Sequence, residues 1–390
     1  MLSFFTMFLI FVTIICLSIF IFTVKKSQIK SGFFMLITIA VLTVFFSITF
    51  VPKDFIRWDL IEHFKLLENM RAYGLDYATQ ESIYKSLPVY NYFVYLISRL
   101  PEVFKNLVTA VPLTIDFLIV GYIYKDAFIK SKKDFDGKAC AFAVFMWITT
   151  FGLKLAISGI RCSLAVSLIV LAIYLEYVKK EHKIFAIVLY VLAVFIHNFA
   201  LVVILTRLLI SLKKPILLMV LSFSFSILIE PISRFVVANI SNEYLVFSFN
   251  RILSTIDKMG FSSALENFQA STVIIYLLFI SVSVYLLLTS IRARKTLSLT
   301  DPSKSEKRIV DWTTTVGSVA VGLSFNYLYL ERFMFVVSFA LFMIIPIYNR
   351  NRLTNRMSNL CLFLCMVFLI FFNDIYIFLV NSLGYYFLTL

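Results

Sequence analysis

The sequence predicts an all-α polytopic integral membrane protein, and three observations support this fold class. Of the 390 residues, 61% are hydrophobic and only 15% are charged, which leaves too little polar surface for a water-soluble fold. The apolar residues form successive stretches of roughly 20 residues, the length that crosses a bilayer. The connections between the stretches alternate between basic and charge-balanced. We therefore expect about 11 to 12 transmembrane helices in one membrane-embedded domain over residues 1–390.

The basic connections predict the orientation of the helices. Lys and Arg in short loops resist translocation, so basic loops stay in the cytoplasm and the net charge of +14 reflects topology rather than nucleic-acid binding. The first apolar run has no positive charge before it and is followed by Lys25 and Lys26, which predicts a retained helix with its N-terminus outside. From this start the predicted spans are 2–24, 31–51, 103–124, 139–158, 162–178, 184–196, 199–212, 215–230, 273–291, 309–329, 333–348 and 357–372.

The stretch 184–212 is too short for two full crossings, although basic loops at both of its ends require an even number. At 1.5 Å per residue each half reaches only about 20 Å, less than the roughly 30 Å hydrocarbon core. We therefore predict a re-entrant or broken helix pair that turns near His197 and Asn198. Irregular backbone at membrane depth needs protein or a wet cavity around it, so the turn indicates a cavity open to the outside.

Two longer connections, 52–88 and 231–271, are predicted to lie outside the cell. In the first of them, apolar residues recur at helical spacing at Phe55, Trp58, Ile61 and Phe64, which predicts an amphipathic helix on the outer mouth of the bundle. The aromatic segment 89–100, bounded by prolines, predicts an interfacial helix.

Lys154, Ser158 and Arg161 lie at helical spacing near the outer end of one predicted span, so they would share one helix face. Charged groups within a span are costly and are therefore candidates for function. A guanidinium fork and an ammonium together suit a diphosphate. The alternative is that both cations extend to lipid headgroups and have no further role.

His197 lies at the predicted outer turn, where it could act as a general base or hydrogen-bond a hydroxyl; the alternative is a neutral histidine that caps the broken helix. Glu331 and Arg332 form a short outer turn, in which Arg332 could be a second anion contact and Glu331 could simply be hydrated. In the first outer loop, Arg57 and Asp59 could bind a phosphate and a sugar hydroxyl, although most charges on such a helix are only solvated.

Asp116 lies deep in an apolar span, where an unpaired carboxylate would be costly, so a buried partner or a proton must compensate. The five cysteines lie within or beside apolar stretches and form no CxxC pair, which is typical of small apolar residues. The sequence has no HExxH, P-loop, GxGxxG or GxSxG motif. We therefore expect no cofactor and a metal-free mechanism that depends on arginines.

Two motifs resemble a known family. The strings Ser158–Ala165 and Ala193–Ala200, separated by an apolar helix and a Lys-rich turn, resemble the SG-x-R-x-x-x-A and F-H-x-x-A pattern of EpsG/Wzy-type polysaccharide polymerases, which are GT-C-like membrane glycosyltransferases. The acidic and aromatic stretch Asp59–Phe64 and the Glu331–Phe333 string before an aromatic helix are further similarities. Cys162, which follows Arg161, departs from the polar residue expected there.

The resemblance implies a function at the outer face of the cytoplasmic membrane. Members of that family are expected to join oligosaccharide repeat units linked to undecaprenyl (polyprenyl) diphosphate, with one lipid-linked chain as donor and another repeat unit as acceptor. Other polysaccharide-assembly membrane proteins would be partners. In this sequence Arg161 and Arg332 would hold the diphosphate, and His197 would orient or deprotonate the acceptor hydroxyl. Two alternatives remain open: a flippase of lipid-linked oligosaccharides, and a membrane-bound acyltransferase that uses His197.

Overall fold

A computed structural model of the chain describes residues 29–49, 59–80, 87–130, 135–152, 159–241, 246, 249–250, 253, 270–297, 303–350, 365 and 367–370. The described residues form helices and no strand, which confirms the predicted all-α fold. The predicted spans 2–24 and 357–372 lie wholly or mostly outside the described residues, as does Arg57 in the first predicted outer loop.

The helices follow the predicted spans closely. Six of them within the described part are long and apolar enough to cross a membrane, and three shorter apolar helices accompany them. In chain order the helices are α1 Ile29–Thr49, α2 Asp59–Tyr73, α3 Leu75–Gln80, α4 Pro88–Ser98, α5 Leu107–Tyr124, α6 Gly137–Phe151, α7 Ile160–Ile173, α8 Lys183–Ile196, α9 Ala200–Leu209, α10 Pro215–Asn239, α11 Ala270–Leu297, α12 Lys304–Gly322 and α13 Tyr327–Arg350.

Helix α13 forms the centre of the bundle. It packs against α6, α7, α11 and α12, and nearly all of its residues from Leu330 to Tyr348 are buried. Helix α5 packs against α7, and α1 packs against α5 and α6. Helices α11 and α12 approach closely at Gly317, where a Cβ atom would lie 2.9 Å from the backbone of Leu287. An apolar exterior and a close-packed interior are what a bundle in lipid requires.

Several helix ends differ from the prediction for local reasons. Helix α10 continues through Pro231 to Asn239, so the beginning of the predicted outer loop 231–271 is helical and the predicted end at residue 230 is wrong. Helix α12 begins at Lys304, five residues before the predicted start, because Ser303 and Glu306 form a reciprocal capping box. Helix α6 ends at Phe151, earlier than predicted, because Gly152 adopts a φ of +68° that stops the helix.

The predicted break near His197 is confirmed. Helix α8 ends at Ile196 and α9 begins at Ala200, with His197, Asn198 and Phe199 forming the turn. Both helices are short, at 14 and 10 residues, and α9 ends in a 3₁₀ turn at Ile210–Leu212. Helix α8 packs against α7 over its length, so the broken pair is supported by a long neighbour.

The described basic residues at or just after the ends of α5, α7, α9 and α11 meet at one end of the bundle. We call this end, where α5, α7, α9, α11 and α13 finish, the basic end. Ion pairs there join different helices: Lys179 Nζ to Asp126 Oδ2 at 2.9 Å, Arg207 Nη2 to Glu176 Oε1 at 2.7 Å, and Arg294 Nη2 to Asp311 Oδ1 at 3.2 Å. Arg308 also donates to the Val178 carbonyl at 2.8 Å. We call the opposite end of the bundle, where α7 and α13 begin, the Arg161 end.

Two short helices cover the Arg161 end. Helix α2 is the amphipathic helix that the first outer loop predicted, and α4 is the predicted interfacial helix. The buried face of α2 is displaced from the predicted one, since Leu60, His63 and Met70 are buried whereas Ile61 is only half-buried. The two helices pack against each other, and α4 also packs against α8. We refer to α2, α3 and α4 together as the cap.

Candidate functional site

Arg161 lies in the first turn of α7, beneath the cap. Its side chain is only 7% exposed, and its Cζ atom lies 5.3 Å from the centre of the Tyr90 ring on α4. Gly159, the N-cap residue of α7, offers no side chain to the first backbone N–H groups of the helix. A helix N-terminus carries a partial positive charge, so it adds to the charge of the guanidinium. The start of α7 therefore carries positive charge that is partly shielded from solvent.

The Tyr90 ring is itself held by the cap. The Tyr90 hydroxyl lies 2.7 Å from Nδ1 of His63 on α2, and both side chains are almost completely buried. Burial, together with the nearby positive charge of Arg161, lowers the pKa of His63 well below 6.5. His63 is therefore neutral at physiological pH.

Four charged groups converge around the beginning of α7. The charges of Arg332, Arg161, Glu331 and Asp59 all act on the buried thiol of Cys162. The short outer turn predicted at Glu331 and Arg332 is wrong, because α13 begins earlier, at Tyr327, where the Asn326 side chain accepts from the Tyr329 N–H. Both residues are half-buried in the first turns of α13, and the Tyr327 hydroxyl donates to Oε1 of Glu331 at 3.3 Å. Asp59 begins the described part of α2 and is exposed. The structure thus brings three residues predicted for the site, Arg161, Arg332 and Asp59, together at the Arg161 end.

His197 lies at the same end of the bundle, and its ring is fixed by the turn. Phe199 of this turn packs against Phe333 of α13, with ring centres 6.5 Å apart, which places His197 near the beginning of α13. The backbone N–H of Phe199 donates to Nδ1 of His197 at 3.1 Å. A neutral imidazole whose Nδ1 accepts a hydrogen bond carries its proton on Nε2. In this arrangement Nε2 of His197 is a hydrogen-bond donor.

Lys154 and Ser158 were predicted to continue the cationic face of Arg161, but both lie outside the described residues. Asp116 is fully buried within α5. The hydroxyls of Ser163 and Ser167 on α7 face this carboxyl, although no described residue meets hydrogen-bond geometry with either of its oxygens. These serines are the neighbours that the sequence analysis could not name. The described residues contain no group of three or more His, Cys, Asp or Glu side chains that could hold a metal ion.

His63 and Tyr90 were missed as site residues. A usable signal was present for His63, because it lies three residues after Leu60 and seven before Met70 and therefore shares their apolar face. No comparable signal marked Tyr90, since α4 contains three other tyrosines or phenylalanines within five residues. Only the packing of α4 against α8 and α2 selects the tyrosine that reaches Arg161.

The fold and this site define a class: polytopic membrane proteins with a cationic, partly covered site at one end of the helix bundle. The chain belongs to the EpsG family, whose model matches residues 61–389. This match confirms the family resemblance of the sequence motifs. The family is one of polysaccharide-polymerase-type membrane proteins. No curated protein and no solved structure matches the chain.

Proposed function

We propose that this protein joins oligosaccharide repeat units linked to undecaprenyl diphosphate, at the outer face of the cytoplasmic membrane. The observation that carries the proposal is the convergence of Arg161 and Arg332 at one mouth of an apolar bundle. A lipid-linked diphosphate approaches from the bilayer while its sugars stay in water. Its binding site must therefore be cationic and lie where helices end, which is where these two arginines lie.

The Arg161 end is proposed to face outward because the opposite end holds the basic connections. Lys and Arg in short loops are retained in the cytoplasm. With this orientation, Arg161, His197 and Arg332 would lie on the extracellular or periplasmic side. This orientation gives the site access to repeat units that have already crossed the membrane.

In the proposed reaction, an acceptor hydroxyl oxygen attacks the anomeric carbon of the donor sugar. The bond between that carbon and the diphosphate oxygen breaks, and its electron pair leaves with the diphosphate. Guanidinium groups placed against the developing negative charge lower the barrier. Arg161 and Arg332 supply this charge, so the proposal needs no metal ion for charge neutralisation. A single displacement would invert the anomeric configuration.

The two remaining site residues are proposed to act on the acceptor. The Nε2–H of His197 would donate to the acceptor sugar and orient it, since Nδ1 is already occupied by the Phe199 N–H. The Asp59 carboxylate would accept the proton of the attacking hydroxyl. Of the two roles that the sequence analysis left open for His197, orienting the acceptor fits this geometry better than deprotonating it.

Reconstitution decides between polymerisation and its rivals. Purified protein in liposomes would be given lipid-linked repeat units isolated from the source cells, without any acyl donor. We expect a ladder of longer lipid-linked chains, release of undecaprenyl diphosphate, and inverted linkages by NMR. Transfer of repeat units between leaflets without elongation would support a flippase, and a requirement for an acyl donor would support an acyltransferase. Either of these results, or retained anomeric configuration, would contradict the corresponding part of the proposal.

A further inference from the structure

At the Arg161 end, three buried side chains from three different helices are in contact, each with the next. His63 on α2 contacts the Tyr90 hydroxyl, and the Tyr90 ring lies against the Arg161 guanidinium on α7. Their exposed fractions are 1%, 2% and 7%. Because buried groups of this kind repack only at a cost, these contacts restrict the position of the Arg161 guanidinium. The cap therefore has a direct contact with the anion site.

The type of contact matters for binding. The N–H donors of a guanidinium lie in its plane, whereas an aromatic ring attracts the cation electrostatically. A ring contact of this kind restrains the guanidinium without itself consuming an N–H donor or neutralising the charge. A carboxylate in the same place would accept from an N–H donor and would also neutralise the charge. Tyr90 can thus hold Arg161 without taking up an N–H donor or the charge of the guanidinium.

His63 completes this arrangement through its neutral state. A neutral ring can accept the Tyr90 O–H at Nδ1 and fix the position of the hydroxyl end of the phenol. A protonated ring could not accept that hydrogen bond and would place a second positive charge near Arg161. Burial and the Arg161 charge both favour the neutral form. The same neighbours that disfavour the imidazolium therefore preserve the hydrogen bond.

We infer that His63 and Tyr90 are positioning residues that fix the Arg161 guanidinium for phosphate binding. The inference rests on the proposed function, because it assumes that Arg161 binds the diphosphate. It gives the cap a role beyond covering the bundle: it holds the main cation of the site in place. Neither residue would touch the reacting atoms.

A double-mutant cycle tests the inference. Tyr90→Phe keeps the ring and removes the hydroxyl, and His63→Leu removes the acceptor while preserving burial. We expect each variant to weaken pyrophosphate binding to the purified protein about tenfold and to lower kcat/KM for polymerisation by a similar factor. The double variant should be no worse than either single variant, because both changes remove the same hydrogen bond.

Two further variants separate positioning from simple loss of structure. His63→Asn places an acceptor oxygen where Nδ1 lies and should restore most of the pyrophosphate affinity. Tyr77→Phe is the matched control, because it also removes one tyrosine hydroxyl from the cap, where that hydroxyl accepts from Asn69 at 2.9 Å and the ring packs against Tyr73. Its pyrophosphate affinity should equal that of the wild type.

The outcomes distinguish this inference from the proposed function. If the wild type binds pyrophosphate and polymerises, but the two single variants are unaffected or their effects add, the positioning role is wrong and the proposed function stands. The positioning role is also wrong if Tyr77→Phe weakens binding as much as Tyr90→Phe does. A wild type that neither binds pyrophosphate nor polymerises would overturn the proposed function and this inference with it.

Discussion

Two arginines at opposite ends of the bundle each lie over a tyrosine ring, and the contacts described around the two rings differ. At the basic end, Arg207 lies 4.5 Å from the centre of the Tyr177 ring and also donates to both carboxylate oxygens of Glu176, at 2.8 and 2.7 Å. At the Arg161 end, the ring contact of Arg161 is with Tyr90, which His63 holds in turn. A bidentate carboxylate consumes donors and charge, whereas a ring does not.

The same difference extends to the other cations of the two ends. Within the described residues, Lys179 and Arg294 at the basic end each have a carboxylate within ion-pair distance. Arg332, at the opposite end, has none among the residues that the structure describes. Cations matched to carboxylates between helices stabilise the packing of those helices. A cation such as Arg332, which has no such partner in the described part of the chain, is suited to bind an anion that arrives from outside the protein.

The largest effect that this comparison predicts is at Arg161. Arg161→Ala should lower the polymerisation rate at least about 100-fold, because removing one group that stabilises developing negative charge costs on this order. Arg161→Lys should recover little of the rate, since the planar fork is lost. Thermal unfolding in detergent should change little in either variant. Full activity in Arg161→Ala would remove the central residue of the site.

Arg207→Ala is the matched control and should behave in the opposite way. It leaves the half-buried Glu176 without its bidentate partner, which should lower the free energy of unfolding by about 1 to 3 kcal/mol. The folded fraction should polymerise at nearly the wild-type rate. If Arg207→Ala lost activity without losing stability, the division between a structural end and a functional end would be wrong.

A second test uses the two histidines at the ends of α8. His197→Asn preserves an acceptor for the Phe199 N–H but loses the donor at Nε2, so we expect a rate about 10- to 100-fold lower with little change in stability. His182, at the other end of the same helix, has a φ of 50°, which Asn tolerates well. His182→Asn should therefore retain the wild-type rate. Equal losses in both variants would indicate that α8 itself, rather than Nε2, is the sensitive element.

Arg332 should give a smaller effect than Arg161, because it is half-buried at the beginning of α13 and is proposed as the second anion contact. Arg332→Ala is expected to raise KM for the lipid-linked substrate about tenfold, the loss typical of one charge-assisted hydrogen bond, with less change in kcat. Arg294→Ala, at the basic end, is the control and should leave KM unchanged. Initial rates over a range of substrate concentrations separate the two parameters.

Much of the fold follows from the sequence because hydrophobic length and basic loops are strong, local signals. The break at His197 is also predictable, since a stretch of about 30 residues cannot cross the bilayer twice as straight helices. The wrong boundaries lie where packing or backbone conformation overrides a local signal. Pro231 indicates a helix end, although a helix with packed neighbours tolerates proline, and Gly152 ends α6 within an apolar run that is continuous in the sequence.

The candidate site is only partly predictable, for a different reason. Arg161, Arg332 and His197 stand out as polar residues at the ends of apolar segments, so composition alone marks them. His63 and Tyr90 act through contacts between α2, α4 and α7. The periodicity of the sequence does not show which cap helix packs against which transmembrane helix. The neutral state of His63 depends on burial and on the charge of Arg161, both of which exist only in the folded protein.

The smallest expected effect concerns the pH dependence of stability at the Arg161 end. Because the pKa of His63 is lowered in the folded protein, an unfolded chain binds a proton at this residue below about pH 6.5 while the folded protein does not. The contribution of His63 to stability is therefore complete above that pH and is lost as the pH falls toward the folded pKa. The loss should be at most about 1.4 kcal/mol per pH unit.

Thermal unfolding at pH 7.5 and pH 5.5 measures this contribution. The wild type should lose more stability than His63→Asn between the two pH values, because Asn does not titrate. His182→Asn, which removes an exposed histidine at the basic end, should lose as much stability as the wild type. If His63→Asn and the wild type showed the same pH dependence, His63 would not be held neutral by the fold, and the difference between the two ends would rest on the arginines alone.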